Sequence, residues 1–90
     1  MSKLYCEVSE GLRKSDASIK ICEVDGTPQF FPLDRGLISK INRRDAIPVR
    51  ILEIDRDNDS ALVTLPAEAD SGATRVWVKL DDLALKAMAQ

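Results

Sequence analysis

No histidine occurs in this chain, and its 90 residues hold one tryptophan, one tyrosine and two cysteines. Lacking histidine, the chain has no side chain that ordinarily moves protons near neutral pH, and it loses the usual partner of cysteine in zinc sites. Cys6 and Cys22 are too few and too widely spaced for a zinc motif. Both fall at strand positions, where burial suppresses the thiolate that a nucleophile needs. They are expected as buried thiols of a reducing compartment, with a cross-strand disulfide as the open alternative. Neither an enzymatic role nor a metal or other cofactor is expected. Long apolar runs are missing too: nothing approaches the ~20 residues of a membrane span, and the opening MSKLYCEVSE has no apolar signal core. The expectation is a cytoplasmic protein without a membrane partner.

A strong excess of one charge is also absent. Thirteen basic residues face 15 acidic ones, a net charge of −2. Up to Asp45 there are 8 basic and 7 acidic residues, and after it 5 and 8, so neither half has the clustered cations of a nucleic-acid binder. What is present is a hydrophobic content of 44%, sufficient for one small core, so residues 1–90 are expected to form a single domain.

Short alternating segments dominate. Lys3–Val8 sets Leu4, Cys6 and Val8 against Lys3, Tyr5 and Glu7, the period of two of a half-buried strand. Glu10–Ser18 is a polar loop, with Leu12 as its apolar pin and Arg13 and Lys14 at its tip. Ile19–Val24 is a second strand, closed by the turn residues Asp25 and Gly26. Gln29–Leu33 is a third, and Pro28 and Pro32 mark it as an edge strand or a broken one. Adjacent Phe30 and Phe31 then face opposite ways. Leu37–Ile41 fits either a helical turn, through Leu37, Ile38 and Ile41, or the preferred short strand, joined through Asn42–Asp45 in a tight turn that carries Arg43 and Arg44.

The most strand-like segment is Ile47–Leu65, a hairpin turning at Arg56-Asp57-Asn58-Asp59. Its alternation slips in phase between Ile51 and Leu52, so that arm is either buried on both sides or carries a β-bulge. The spacing of Asp55, Asp57 and Asp59 imitates the start of a calcium loop. However, Ser60 and Pro66 occupy the positions where such a loop requires glycine and a bidentate glutamate. The turn is a connector. Arg75–Leu80 alternates again, with Val76, Val78 and Leu80 inward and Arg75, Trp77 and Lys79 outward, and Leu83–Met88 has the composition of a short C-terminal helix. The pattern predicts an all-β fold: a small SH3-like barrel or a strongly bent antiparallel sheet with a short C-terminal helix, with an OB-like barrel or a split two-sheet roll as the alternatives.

Among exposed candidates, Trp77 stands out as a large apolar surface with a polar handle, bracketed by Arg75 and Lys79. With Tyr5 as companion, these residues predict a binding face for a protein or peptide. The alternative is that Ala67–Thr74 or the C-terminal helix covers Trp77. A second set, Arg13, Lys14, Arg43, Arg44 and Arg50, suits nucleic acid if the fold gathers it into one patch.

The segments VSEGLRKSDASIKI (8–21), IPVRILEID (47–55) and LPAEADSGATRVWVKLDDL (65–83) resemble those of a family of small uncharacterised bacterial proteins with an EADSG-x-x-R-V-W-V ending. The resemblance covers most of the chain, and it implies no activity, cofactor or site residue.

Overall fold

Ile51 pairs with Val63, and the next partner of Leu62 is Glu53, so Leu52 is the extra residue of a β-bulge at the predicted phase slip. The computed structural model, which describes residues 2–84, builds an all-β, wholly antiparallel fold around that kinked strand. Its strands are β1 (Ser2–Tyr5), β2 (Glu7–Glu10), β3 (Asp16–Cys22), β4 (Pro28–Asp34), β5 (Ser39–Ile41), β6 (Arg44–Asp55), β7 (Ser60–Thr64) and β8 (Arg75–Lys79). One sheet runs β1-β6-β7-β8 with β5 also on β6, and the other runs β2-β3-β4. Strand β6 pairs with β5 and β1 through its first half and with β7 through its second.

These pairings form two antiparallel sheets that do not close into a barrel among the described residues, so the all-β part of the expectation describes the fold and the closed barrel is corrected. Two features explain the open form. The segment expected as one strand over Lys3–Val8 breaks at Cys6, where the chain leaves the five-stranded sheet for the three-stranded one. At that corner the Cys6 N–H still donates to the Asp45 carbonyl (3.0 Å), the last bond in the β1–β6 register, and the next residue, Glu7, pairs with Lys20 of β3. Elsewhere the sheets are tied by single bonds, Val24 N–H to the Trp77 carbonyl and Asp70 N–H to the Phe30 carbonyl, each 2.8 Å. Isolated bonds of this kind do not make a continuous wall.

The sheets share one apolar core. Leu4, Ile47, Val49, Val63 and Val78 come from the first and Ile19 and Phe31 from the second, each with at most 2% of its surface exposed. Every such side chain contributes roughly 1.5–3 kcal/mol through removal from water. In β4, Phe31 is buried and Phe30 is 42% exposed, as adjacency in a strand requires. The Phe30 carbonyl bonds on the edge away from β3, and strand parity puts the nitrogens of Pro28 and Pro32 on that same edge. Their missing donors cost nothing there.

The short strand expected near Leu37–Ile41 is β5. It enters β6 through a two-residue turn in which Asn42 and Arg43 hold φ of 53° and 67°, a geometry matched to the twist of a hairpin. Three expectations need correction. Leu12 does not pin its loop: it projects fully into solvent, because the turn closes through backbone, Asp16 N–H to the Arg13 carbonyl at 3.1 Å. Cys22 is exposed, since it lies at the end of β3 on the face away from the buried Ile21. Of the proposed helix over Leu83–Met88, residues 85–88 lie outside the described residues. Leu83 itself is extended and bridges Leu4 after a 3-10 turn at Leu80–Asp82.

Cys6 and Cys22 are both free. Burial, aided by the Asp45 carboxylate and opposed by Arg44, pushes the Cys6 thiol up to about 11. A short iodoacetamide pulse followed by peptide mapping is expected to find Cys22 modified well before Cys6. The Cys6 rate should go on climbing with pH towards 11, past the point where an ordinary thiol levels off. Over that window the folded chain keeps a proton that the unfolded chain has lost, so this group's contribution to stability falls as pH rises. Equal labelling of the two cysteines at pH 8 is the result that would contradict the placement of Cys6.

Candidate functional site

The register of β6, β7 and β8 determines which side chains share a surface. Directly opposite residues lie on the same side of an antiparallel sheet, and their neighbours alternate. Ala61, Val63, Val76 and Val78 point into the core, so Leu62, Thr64, Arg75, Trp77 and Lys79 point out. Three rows result. Arg50, Thr64 and Arg75 form the first; Glu53, Leu62 and Trp77 the second; Asp55, Ser60 and Lys79 the third. In the middle row Leu62 and Trp77 are half-buried, and the rim residues Arg50, Glu53, Arg75 and Lys79 are exposed. The indole therefore sits in a solvent-facing surface with one apolar neighbour and charged residues around it.

Hydrogen bonds from several elements brace this surface. The carbonyl of Trp77 accepts from Val24 N–H on the outer edge of β8, and Leu80 N–H donates to the Asp59 carbonyl (2.9 Å) beyond the end of β8. The 56–59 turn is locked by Asp55, whose Oδ1 accepts from the N–H groups of Asp57 and Asn58 and whose Oδ2 accepts from Asn58 Nδ2. That carboxylate is engaged in making a turn, which is the connector role expected of it. The 66–74 loop packs toward β4, with Ala69 buried in the core and Ser71 Oγ donating to Gln29 Oε1 (2.6 Å).

The other candidate residues lie apart. Tyr5 occupies the same sheet face but is opposite Ala46, whereas the Trp77 row reaches β6 at Glu53. There the Arg44 guanidinium stacks 4.0 Å above the Tyr5 ring and Asn42 Nδ2 donates to Tyr5 Oη at 3.0 Å. Arg43 is at the β5–β6 turn, and Arg13 and Lys14 are in the β2–β3 loop beside Arg35, whose Nε donates to the Lys14 carbonyl (3.0 Å). The five basic residues are thus distributed over three places, and Arg50 joins the Trp77 face. Leu62 and Thr64 were not among the sequence candidates. Their co-facial placement depends on the hairpin register, and the phase slip at Ile51-Leu52 was its one sequence signal.

A depression of about 360 Å³ lies elsewhere, beneath the β2–β3 loop between Leu12 and Phe31. Its side-chain polar groups are the carboxylates of Glu10 and Asp70 and the Ser18 hydroxyl, with no cation or general base of histidine type beside them, so it offers no chemistry comparable with the Trp77 face. Among the described residues no helix is long and apolar enough to cross a membrane. No protein-family model, curated protein or solved structure matches this chain, and its surface has to be argued from its own chemistry.

Proposed function

We propose that this chain is a non-enzymatic binding module, working in the bacterial cytoplasm, that takes a short protein or peptide segment on the β6–β7–β8 face. Trp77 is its centre, Arg75 and Lys79 its flanks, and Leu62 the apolar partner of the indole. The SH3-like likeness belongs to the same proposal, as a meander of short strands that carries a peptide on its outer surface. The observation behind this reading is the half-buried tryptophan at the middle of a strand triplet whose outer face is rimmed by exposed charge.

Size favours a segment over a globular partner. Three strands by five residues cover about 14 by 17 Å, on the order of 240 Å². A standard protein–protein interface takes roughly 800 Å² from each partner. The patch matches a few extended residues. Truncation of an aromatic anchor at the centre of such a patch typically costs about 2 kcal/mol, a loss of roughly 30-fold in affinity.

Installing the photocrosslinker p-benzoylphenylalanine at Lys79, in the native cell, is expected to trap a dominant adduct that disappears when Trp77→Ala is added. The same group at Ser9, on β2 of the other sheet, should not trap it. An adduct that survives Trp77→Ala, or that forms equally from position 9, would sink the assignment.

A further inference from the structure

The first row of the face has charge without a partner. Among the described residues the ion pairs are Lys20 with Glu7 and Lys40 with Asp45, and neither Arg50 nor Arg75 takes part in one. Both are exposed, on strands that flank β7, with Thr64 between them. Their backbones are two strand spacings apart, about 9.6 Å, and their long side chains can meet above the Thr64 hydroxyl. Two planar guanidinium forks and a hydroxyl donor make a receptor for a carboxylate, which accepts two parallel bonds from one fork and further bonds from the others.

From this arrangement we infer the chemistry of the ligand: an extended segment of a partner protein that places an Asp or Glu over Arg50, Thr64 and Arg75 and an apolar side chain two residues away over Leu62 and Trp77. The inference rests on the proposed role of the Trp77 face and adds the anion and its spacing. The spacing comes from β7 and β8, where Thr64 and Arg75 are each two residues from Leu62 and Trp77. That is about 6.8 Å along a strand, the separation of side chains i and i+2 on one face of an extended peptide. The third row, with Asp55 and Lys79 of opposite charge, meets position i+4 and sets little preference for sign.

Charge also separates this ligand from a nucleic-acid strand. Glu53 and Asp55 lie on the same face as the arginines, and the whole chain carries −2. A polyanion laid along the rows would meet carboxylates in the second and third, whereas one acidic side chain meets only the first. Repeated phosphates are disfavoured and a single carboxylate is not.

Trp77 is the only tryptophan, so its emission reports on the site directly. The experiment titrates the full chain with acetyl-Gly-Glu-Ser-Leu-Ser-Gly-amide, with the same peptide carrying Gln for Glu, with one in which Glu and Leu are adjacent, and with a single-stranded oligothymidylate. The Glu-Ser-Leu peptide is expected to shift the emission and saturate near or below about 1 mM. The Gln and adjacent-residue peptides should bind at least fivefold more weakly. Arg50→Gln with Arg75→Gln should abolish the preference for Glu over Gln, while Arg56→Gln, at the far turn, should keep it. Because both arginines are exposed, the double variant is expected to melt with the wild type. Equal binding of the Glu and Gln peptides overturns the anionic anchor and leaves the Trp77 face standing as a docking site. No emission change with any peptide removes both. Tighter binding of the oligothymidylate than of the Glu peptide overturns the inference in favour of nucleic acid.

Discussion

Phe31→Ala is expected to cost about 3–5 kcal/mol and to lower the melting temperature by roughly 12 °C or more. Phe31 heads the fully buried residues by volume, at 1% exposure. It projects from the middle of β4 opposite Ile19, which is 0% exposed. Truncation removes the ring from an interior whose walls are two hydrogen-bonded sheets, which relax little around a cavity. A domain of this size has a net stability of about 5 kcal/mol, so the loss takes most of it. The neighbouring Phe30→Ala supplies the control. It removes a ring of equal size that is 42% exposed, while leaving the carbonyl that Asp70 N–H bonds to. Its expected cost is below about 1 kcal/mol. Thermal melts followed by far-UV circular dichroism decide the matter. A Phe31→Ala drop no larger than that of Phe30→Ala would mean that β4 is not packed as described.

That contrast between neighbours was legible in the sequence, as was much of the strand pattern, for local reasons. Alternation assigned Phe30 and Phe31 to opposite faces, proline chemistry put β4 at an edge, and the phase slip at Ile51-Leu52 marked the bulge. Each is a rule about adjacent residues. What could not be read depends on partners distant in sequence. Leu4, Cys6 and Val8 alternate without interruption, so nothing local shows that the chain changes sheets after Cys6; the partners that divide it are distant, Asp45 for Cys6 and Lys20 for Glu7. Leu12 is the only large apolar residue of its loop and therefore looked like an anchor, yet the backbone closes that turn without it.

The same division runs through the candidate site. The outward direction of Arg75, Trp77 and Lys79 follows from their own strand. Bringing Leu62, Thr64 and Arg50 onto the same surface needs the hairpin register, and a slip of one residue would put all three on the other side. The bulge fixes that register by placing its extra residue at Leu52, so that Arg50 remains opposite Thr64 while Glu53 falls opposite Leu62. Tyr5 also projects outward, as its alternation implied, but its partners there are Arg44 and Asn42. An aromatic residue's direction is a local property, and its neighbours are not.

Gly11→Ala is expected to be the most damaging of the glycine substitutions, although the residue sits in a surface loop. A Cβ there would lie 2.8 Å from the Asp16 carbonyl oxygen, 3.0 Å from the Asp16 carbonyl carbon and 3.3 Å from that of Ala17. All three are backbone atoms of β3, so no side-chain rotation relieves the overlap. Ala17 is 0% exposed in the core and Asp16 pairs with Asp34 on β4, which means that moving β3 aside strains both the core and the second ladder. Moving Gly11 instead pulls at the β2–β3 pairing where Glu10 meets Ala17. Either displacement is an overpacking cost, about 2–3 kcal/mol, and a drop of roughly 8 °C or more in melting temperature. Gly26→Ala is the comparison. Gly26 has φ of +92° with nothing within 4 Å of an added Cβ, so its cost is backbone strain alone, about 1 kcal/mol. The ordering of the two therefore separates crowding from strain: if Gly26→Ala lowers the melting temperature more than Gly11→Ala, the close approach of the β2–β3 loop to β3 is wrong.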